Sequence, residues 1–487
     1  MLIKKISFLI ITILILTFVQ NEVYSQNTND ALRLAYSGLG SNARALGMGN
    51  SYIGLSDDAS AAFFNPAGFG LIKKIELSGG LSYLSFNNDA EFFKEKTNYS
   101  NSNTNLNRLS FAFPFPTVRG SLVFGLTYHN TADLTGALKF DGINNRDSYI
   151  NHLSMQNSNL PYDLYLSYPL YNGNTYIKDT TNILGGLNQS GDILNKGTIN
   201  NWTFSGAIEV YKNLFVGLNL NIITGTYESN NDYFEDDVNK IYSGRISPLA
   251  QDSLIVDFRT FYLNRLLTWE LEGWNAKFGM LYQLNQNARF ALTVQFPKEY
   301  TIKEKFVVNG RSEFASQTYY LKQEDYSDNV EYTISTPFEL GAGFSFNFKG
   351  LIFSAEATLI DYSQMELENK NGLGVDYVAS INKDVKVLLG AVVNYNLGLE
   401  YTIPDLGLRL RGGYFTKPSA YKDDDQTFDK KFFTAGIGFL AEEAVGIDVG
   451  FAHGSWKDIG DNYGSNLSRT FQDVSINQLM LTATYRF

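Results

Sequence analysis

The chain of 487 residues has no cysteine, 39 basic against 50 acidic residues, and a net charge of −11. These figures exclude disulfides, thiol chemistry and lipoprotein anchoring, and they oppose nucleic-acid binding, which needs a basic surface. Aromatic residues reach 15 %, with 31 Tyr, 36 Phe and 42 Gly beside only 10 Pro, a composition suited to aromatic girdles and closely packed strands.

Met1 to Lys5 form a short basic region, and Ile6 to Val19 follow with only Ser7, Thr12 and Thr17 polar. Val23-Tyr24-Ser25 then offers a cleavage site. The pattern predicts a secretory signal over 1–25, with the mature chain beginning near Gln26. As a helix the run spans roughly 21 Å, short of the ~30 Å hydrocarbon core. No later stretch approaches 18 apolar residues, so a helical membrane domain is not expected.

Residues 26–74 lack period-two alternation, and small residues dominate them. Asp57 to Phe64 reads as a short helix with Ser56 as N-cap, ended by Pro66. A compact small-residue segment ahead of a wide barrel has one natural place, the lumen, where it forms a plug.

From residue 75 to 487 the period is two. Candidate strands are 75–86, 105–115, 120–130, 202–211, 213–228, 270–284, 288–300, 331–348, 351–363, 389–403, 406–417, 431–442, 444–455 and 475–487. Leu214, Val216, Leu218, Leu220 and Ile222 share one face, and Gly217, Asn219 and Asn221 the other. The number is fourteen, even as a closed antiparallel bacterial barrel requires. The predicted fold is therefore all-β: a transmembrane antiparallel barrel of 14 strands with an N-terminal luminal plug.

Connections alternate short and long. Short ones are Phe115–Gly120, Tyr211–Asn213, Asn285–Asn287, Lys349-Gly350, Pro404-Asp405 and Glu443. Long ones are 87–104, 131–201, 229–269, 301–330, 364–388, 418–430 and 456–474. Barrels of the outer membrane have short periplasmic turns and long external loops. A soluble sandwich gives no reason for that segregation. The expected location is the bacterial outer membrane with both termini periplasmic. The last strand alternates Leu479, Leu481, Ala483, Tyr485 and Phe487 on one face and ends on an aromatic residue. It resembles the closing strand and assembly signal of outer-membrane barrels, so the barrel assembly machinery and outer-membrane lipids are expected partners.

The order of signal, Ala45-Leu46-Gly47-Met48-Gly49, Asp57-Asp58-Ala59-Ser60, Asn65-Pro66-Ala67-Gly68 and then fourteen strands resembles the FadL/OMPP1/TodX family of outer-membrane transport proteins. Leu408–Tyr414, Thr434–Phe439 and Val445–Val449 resemble it as well. The resemblance implies a barrel closed by an N-terminal hatch. It also implies passive inward movement of long-chain fatty acids or aromatic hydrocarbons, through hatch rearrangement and a side opening in the wall. Asn65, Pro66 and Ala67 are then the hatch motif, joining plug to first strand as a small hinge or as a seat for the plug. A branch of the same superfamily serves type IX protein secretion, which is the alternative function.

The residues show no enzyme. His129, His152 and His453 are scattered, and no phosphate-cradling, zinc-protease or nucleophile-elbow motif occurs. No cofactor and no metal is expected. Asp423-Asp424-Asp425 is read as a solvated loop tip before a cation site. In the lumen, Arg409, Arg411, Glu400, Asn396, Asp448, Glu356, Glu339 and Lys277 point inward by alternation. With a two-residue turn at Pro404-Asp405, Glu400 lies opposite Arg409, and Arg411 faces Gly398. Arg409 or Arg411 then meets a ligand carboxylate, or both belong to a polar ladder holding the plug. Phe63, Phe64 and Phe69 flank the hatch motif and are the apolar ligand candidates, or else hatch packing.

Overall fold

Strand pairing runs once around a ring and returns to its start. The computed structural model describes residues 28–246, 255–442, 444–464 and 466–487; the signal expected over 1–25 lies outside them. The ring holds fourteen antiparallel strands. They are β1 (Glu76–Phe92), β2 (Glu95–Phe115), β3 (Leu122–Asp133), β4 (Leu187–Tyr211), β5 (Leu214–Asp236) and β6 (Phe258–Gln283). Then come β7 (Ala288–Gln295, resumed at Glu299–Phe314), β8 (Asp328–Ser335, resumed at Glu339–Phe348) and β9 (Leu351–Asp361, resumed at Glu366–Asn371). The last are β10 (Ala391–Ile403), β11 (Leu408–Lys417), β12 (Lys430–Ala441), β13 (Val445–Asp461) and β14 (Arg469–Arg486).

Closure is made by β14 on β1, from Glu76 opposite Arg486 to Glu91 opposite Phe471. A ring has no free edge, so every strand finds its backbone partners inside the wall, as a bilayer demands. Outward side chains such as Leu218, Leu220 and Ile222 on β5, or Leu397, Leu399 and Tyr401 on β10, are exposed apolar groups. They form the lipid-facing belt.

Short turns gather at one end, where Ile75 and Phe487 also exchange backbone hydrogen bonds. At the other end several strands run well past the expected boundaries. Residues 87–104, read as a long loop, are a hairpin: β1 continues to Phe92, β2 starts at Glu95, and Phe93 and Lys94 turn with φ of 48° and 75°. Likewise β4 begins at Leu187, inside the expected 131–201 loop. The reason is physical. Beyond the lipid belt the outward face turns polar while inward residues such as Ala90, Phe92 and Leu187 stay buried, so pairing continues after the apolar outer face has stopped.

The long-loop end is packed. Residues Gly136–Asn144 add a further strand on β4. The helices α3 (Tyr149–Met155) and α4 (Asn159–Asp163) and the hairpin Tyr168–Asn172/Thr175–Thr180 lie between it and β4 in sequence. One hydrophobic core joins Tyr149, Ile150 and Leu160 of this cap with Tyr233, Phe261, Trp269, Tyr300 and Tyr332 of the wall. The N-cap Ser148 and the amide of Tyr149 donate to the buried Glu235 carboxylate of β5.

Candidate functional site

Residues 28–72 sit in the lumen and are built from short capped pieces. Helix α1 (Thr28–Ala35) buries Ala31, Leu32, Leu34 and Ala35 in the core of the long-loop end. Helix α2 (Ala43–Gly47) is capped by Asn42. Two 3-10 turns follow, Ala59–Ala62 and Pro66–Leu71, capped by Asp58 and Asn65. The single helix expected over 57–64 with Ser56 as cap is thus replaced by a shorter turn whose cap is Asp58. The Ser56 hydroxyl bonds back to the Tyr52 carbonyl at 2.6 Å instead. Pro66 starts a turn rather than ending one, the position its missing N–H allows. The first described residues lie among the long loops, where Tyr421 bonds Asn29. Phe487 lies at the opposite end.

The hatch is stitched to the wall around the ring. Glu356 of β9 accepts from the amides of Tyr52 and Ile53, both at 2.9 Å. Asn219 of β5 donates to Ala62 O at 2.6 Å, and Lys277 of β6 to Phe63 O at 2.8 Å. Glycines of the wall give it room. A Cβ at Gly217 falls 2.4 Å from the Pro66 carbonyl carbon, at Gly398 2.3 Å from Met48 O, at Gly413 2.2 Å from Gly49 N and at Gly450 2.3 Å from Ala43 O.

A charged network holds one side of the hatch. Arg44 of α2 grips Glu400 of β10 with two bonds of 2.8 Å, and its third nitrogen reaches Asp57 at 2.7 Å. Arg289 of β7 meets Asp57 from the other side at 3.2 Å. Burial by itself raises the Asp57 carboxyl, but the Arg44 and Arg289 guanidinium groups overcome it and hold it well below the usual range. Arg411 of β11 pairs with Glu400 at 2.6 Å and with Asp448 of β13 at 2.7 Å.

This corrects the expected partners. Glu400 is opposite Arg411, and Arg409 is opposite Thr402. The β10–β11 connection runs from Ile403 to Leu408 rather than through two residues, which moves the register by two and leaves the faces unchanged. Arg411 is buried inside ion pairs, and Arg409 lies beside the network, half-buried. Asn65 is buried; its Oδ1 accepts from Ala67 N at 3.1 Å, and its Nδ2 donates to Ile53 O at 3.1 Å and to Met280 O of β6 at 3.3 Å. Pro66 and Ala67 pack behind it against the wall. Phe63 and Phe64 stack edge to face at 4.8 Å. Phe69 is wholly buried against Ala112, Val123 and Ala207. Arg44 escaped the sequence reading, Asp58 entered it only within the Asp57-Asp58-Ala59-Ser60 motif, and the packing role of the inward glycines was missed although Gly217, Gly398 and Gly450 occupy inward positions of the alternation. In the 418–430 loop, Asp425 caps Thr427, and no acidic or histidine cluster fit for a metal ion occurs among the described residues.

The wall is split on one side. β2 and β3 are paired from Phe115 opposite Leu122 up to Arg108 opposite His129, and no further. Beyond that point β2 pairs only with β1, and β3 swings to β4 through a register shift between Asn130 and Ala132. Side chains bridge the gap: Asn105 to Asp133 at 2.7 Å, Asn101 to Asn195 O at 3.1 Å. Gly38 of the hatch bonds the bulged Thr131 carbonyl at 2.7 Å. A cavity of about 480 Å³ opens there, lined on its apolar side by Leu84, Phe86, Phe432, Trp456 and Ile476.

A family model described as outer membrane protein transport protein (OMPP1/FadL/TodX) matches residues 196–487, more than half of the chain. Among solved structures, the toluene transporter TodX of P. putida is 11 % identical with a TM-score of 0.53, over 92 % of this chain and 99 % of that one. A FadL homologue of Pseudomonas aeruginosa is 12 % identical with a TM-score of 0.55, over 93 % and 99 %. At such identities the likeness is one of fold. The curated proteins gave no match.

Proposed function

This chain belongs to the OMPP1/FadL/TodX family of outer-membrane transport proteins, and from that premise we propose that it is a passive channel for hydrophobic compounds and not an enzyme. The observation that carries the reading is the coincidence of a cavity that has an apolar side, Leu84, Phe86, Phe432, Trp456 and Ile476, with the place where β2–β3 pairing stops. A hydrophobic solute gains from burial in such a cavity. Below it the lumen is polar and filled by the hatch, so the low-cost way out is sideways through the split wall into lipid. The long-loop end faces the outside and the Phe487 end the periplasm. Fatty acids and aromatic hydrocarbons are both within the size of the cavity. Asn65, Pro66 and Ala67 act as the seat of the hatch on β6, with Phe63 beside the luminal cavity and Phe64 packed within the hatch against Tyr52.

The test uses the absence of native cysteine. Asn105→Cys with Asp133→Cys, bridged by a short thiol crosslinker, ties the split shut. Uptake of labelled oleate and of labelled toluene is compared with the uncrosslinked protein at matched surface levels. Loss of uptake on crosslinking, with recovery after cleaving the linker, is expected. Unchanged uptake of both compounds overturns the side route. Replacement of Asn65, Pro66 and Ala67 by Gly tests the seat: a folded barrel with altered uptake is expected.

A further inference from the structure

A polar strip runs down the inside of the wall where the hydrophobic route has no use for it. On β2, β3 and β4 it presents Asn107, Arg108, Thr127, His129, Asn201 and Ser205, each more than nine-tenths buried. Each has at least one side-chain nitrogen or oxygen without a hydrogen-bond partner among the described residues: both amide atoms of Asn107, Nη1 of Arg108, Oγ1 of Thr127, Nδ1 of His129, Oδ1 of Asn201 and Oγ of Ser205. Asn107 and Arg108 are consecutive and both point inward, because β2 is bulged between the pairs at Leu81 and Gly80. A bulge that aims two polar side chains at one space is a local device. Orphan polar atoms at this density are satisfied by water.

The strip has a head and a floor. At its upper end His129 and Asn201 enter a cavity of about 120 Å³ that also receives Lys277 and Asn50, room for several waters. At its lower end Ser205 is level with Gly125, and one step nearer the turns Ala207 faces Val123. There the lining turns apolar, and Phe69 of the hatch closes it, its ring seated on Gly125 against Ala112, Val123 and Ala207. Arg108 makes no ion pair within 4 Å among the described residues, and Lys277 bonds only the Phe63 carbonyl. The carboxylates that act on Arg108, Asp58 and Glu76, are already paired with Arg44 and Arg486, and in the upper cavity Glu339 and Glu356 stand against Lys277, Lys298 and Lys417.

We infer that the strip is a second, hydrophilic conduit, for small inorganic anions, held shut in this conformation by the Phe69 seal. A narrow apolar ring excludes water and so blocks ions without filling the path. The excess of cations over carboxylates, Arg108 on the strip and three lysines against two glutamates in the upper cavity, sets the sign of what passes. This conduit starts at the last β2–β3 pair, Arg108 opposite His129, and leads down from there, away from the split above it.

The experiment is single-channel recording of the full chain in planar bilayers in potassium chloride. Wild type is expected to be nearly silent. Phe69→Ala should raise conductance at least tenfold, with reversal potentials that favour chloride. Adding Arg108→Met should abolish that preference, and adding Asn201→Leu with Ser205→Val should return conductance towards wild type. If Phe69→Ala fails to give the heat-modifiable folded form, Val123→Ser opens the same floor from the wall side. Folded variants as tight as wild type overturn the proposal. So does a leak that prefers potassium, or one that Asn201→Leu with Ser205→Val leaves unchanged.

Discussion

Glu400 receives two guanidinium groups at once, one from the hatch and one from the wall. Glu400→Gln leaves Arg44 and Arg411 buried beside an amide, a loss of about 3–5 kcal/mol for a broken buried pair. The expected readout is a lower unfolding temperature in heat-modifiability gels. Asp57 gives the pH dependence. Its folded carboxyl titrates below its unfolded one, so its contribution is complete above the ordinary aspartate range near ~4 and fades as pH falls below it. Hydrogen exchange over residues 43–62, corrected for intrinsic rates, should match at pH 7 and pH 5 and accelerate at pH 3. The inward direction of Glu400, Arg409 and Arg411 was legible, because a strand's period fixes the face. Their partners were not, since a turn two residues longer than expected exchanges Arg409 for Arg411 without disturbing the face. Arg44 was invisible because the plug has no period to read.

At the scale of elements, the hatch lies against glycines where its backbone meets the wall. Gly279→Ala tests the idea at the hatch motif, since its Cβ is built 2.0 Å from Asn65 Oδ1 and 2.9 Å from Pro66. Overpacking of about 1–3 kcal/mol should fall on the 3-10 turn Pro66–Leu71 and spare the barrel. Limited proteolysis near Lys73-Lys74 should speed up while heat-modifiable migration persists. Asn65→Ala removes a cap, about 1 kcal/mol, and also strips partners from Ile53 O and Met280 O, so it should weaken the same turn. Strand number was readable from alternation in the belt. Strand length was not: β1 and β2 run on as a hairpin of Asn, Ser, Thr and Glu, which carries no apolar signal. The capped pieces of the hatch were half legible, Asn65-Pro66 by its residues and Asp58 only by its contacts.

For the whole molecule, the proposed orientation sends the hairpin around Gly173 outward and the turn at Lys349-Gly350 inward. Protease added to intact cells should cut near Tyr171–Tyr176, whose rings are exposed, and spare Lys349. The reverse pattern overturns the orientation. Loop composition alone did not disclose that the long-loop end is a packed core, because its aromatic residues are scattered over strands far apart in sequence. One feature of that core bears on how the molecule is made. Helix α1 and the residue after it touch residues very distant along the chain: Arg33 lies over the rings of Tyr227 and Trp269, and Tyr36 meets Tyr362 and Lys430. Synthesis delivers α1 before any of them. Its docking surface exists only after most of the wall has been translated and exported. Helix α1 therefore finds its partners only after most of the wall is in place. Polar substitutions at Leu32 and Leu34, which α1 buries in that core, should accordingly leave strand pairing formed and release α1 from it, read as faster hydrogen exchange over residues 28–36.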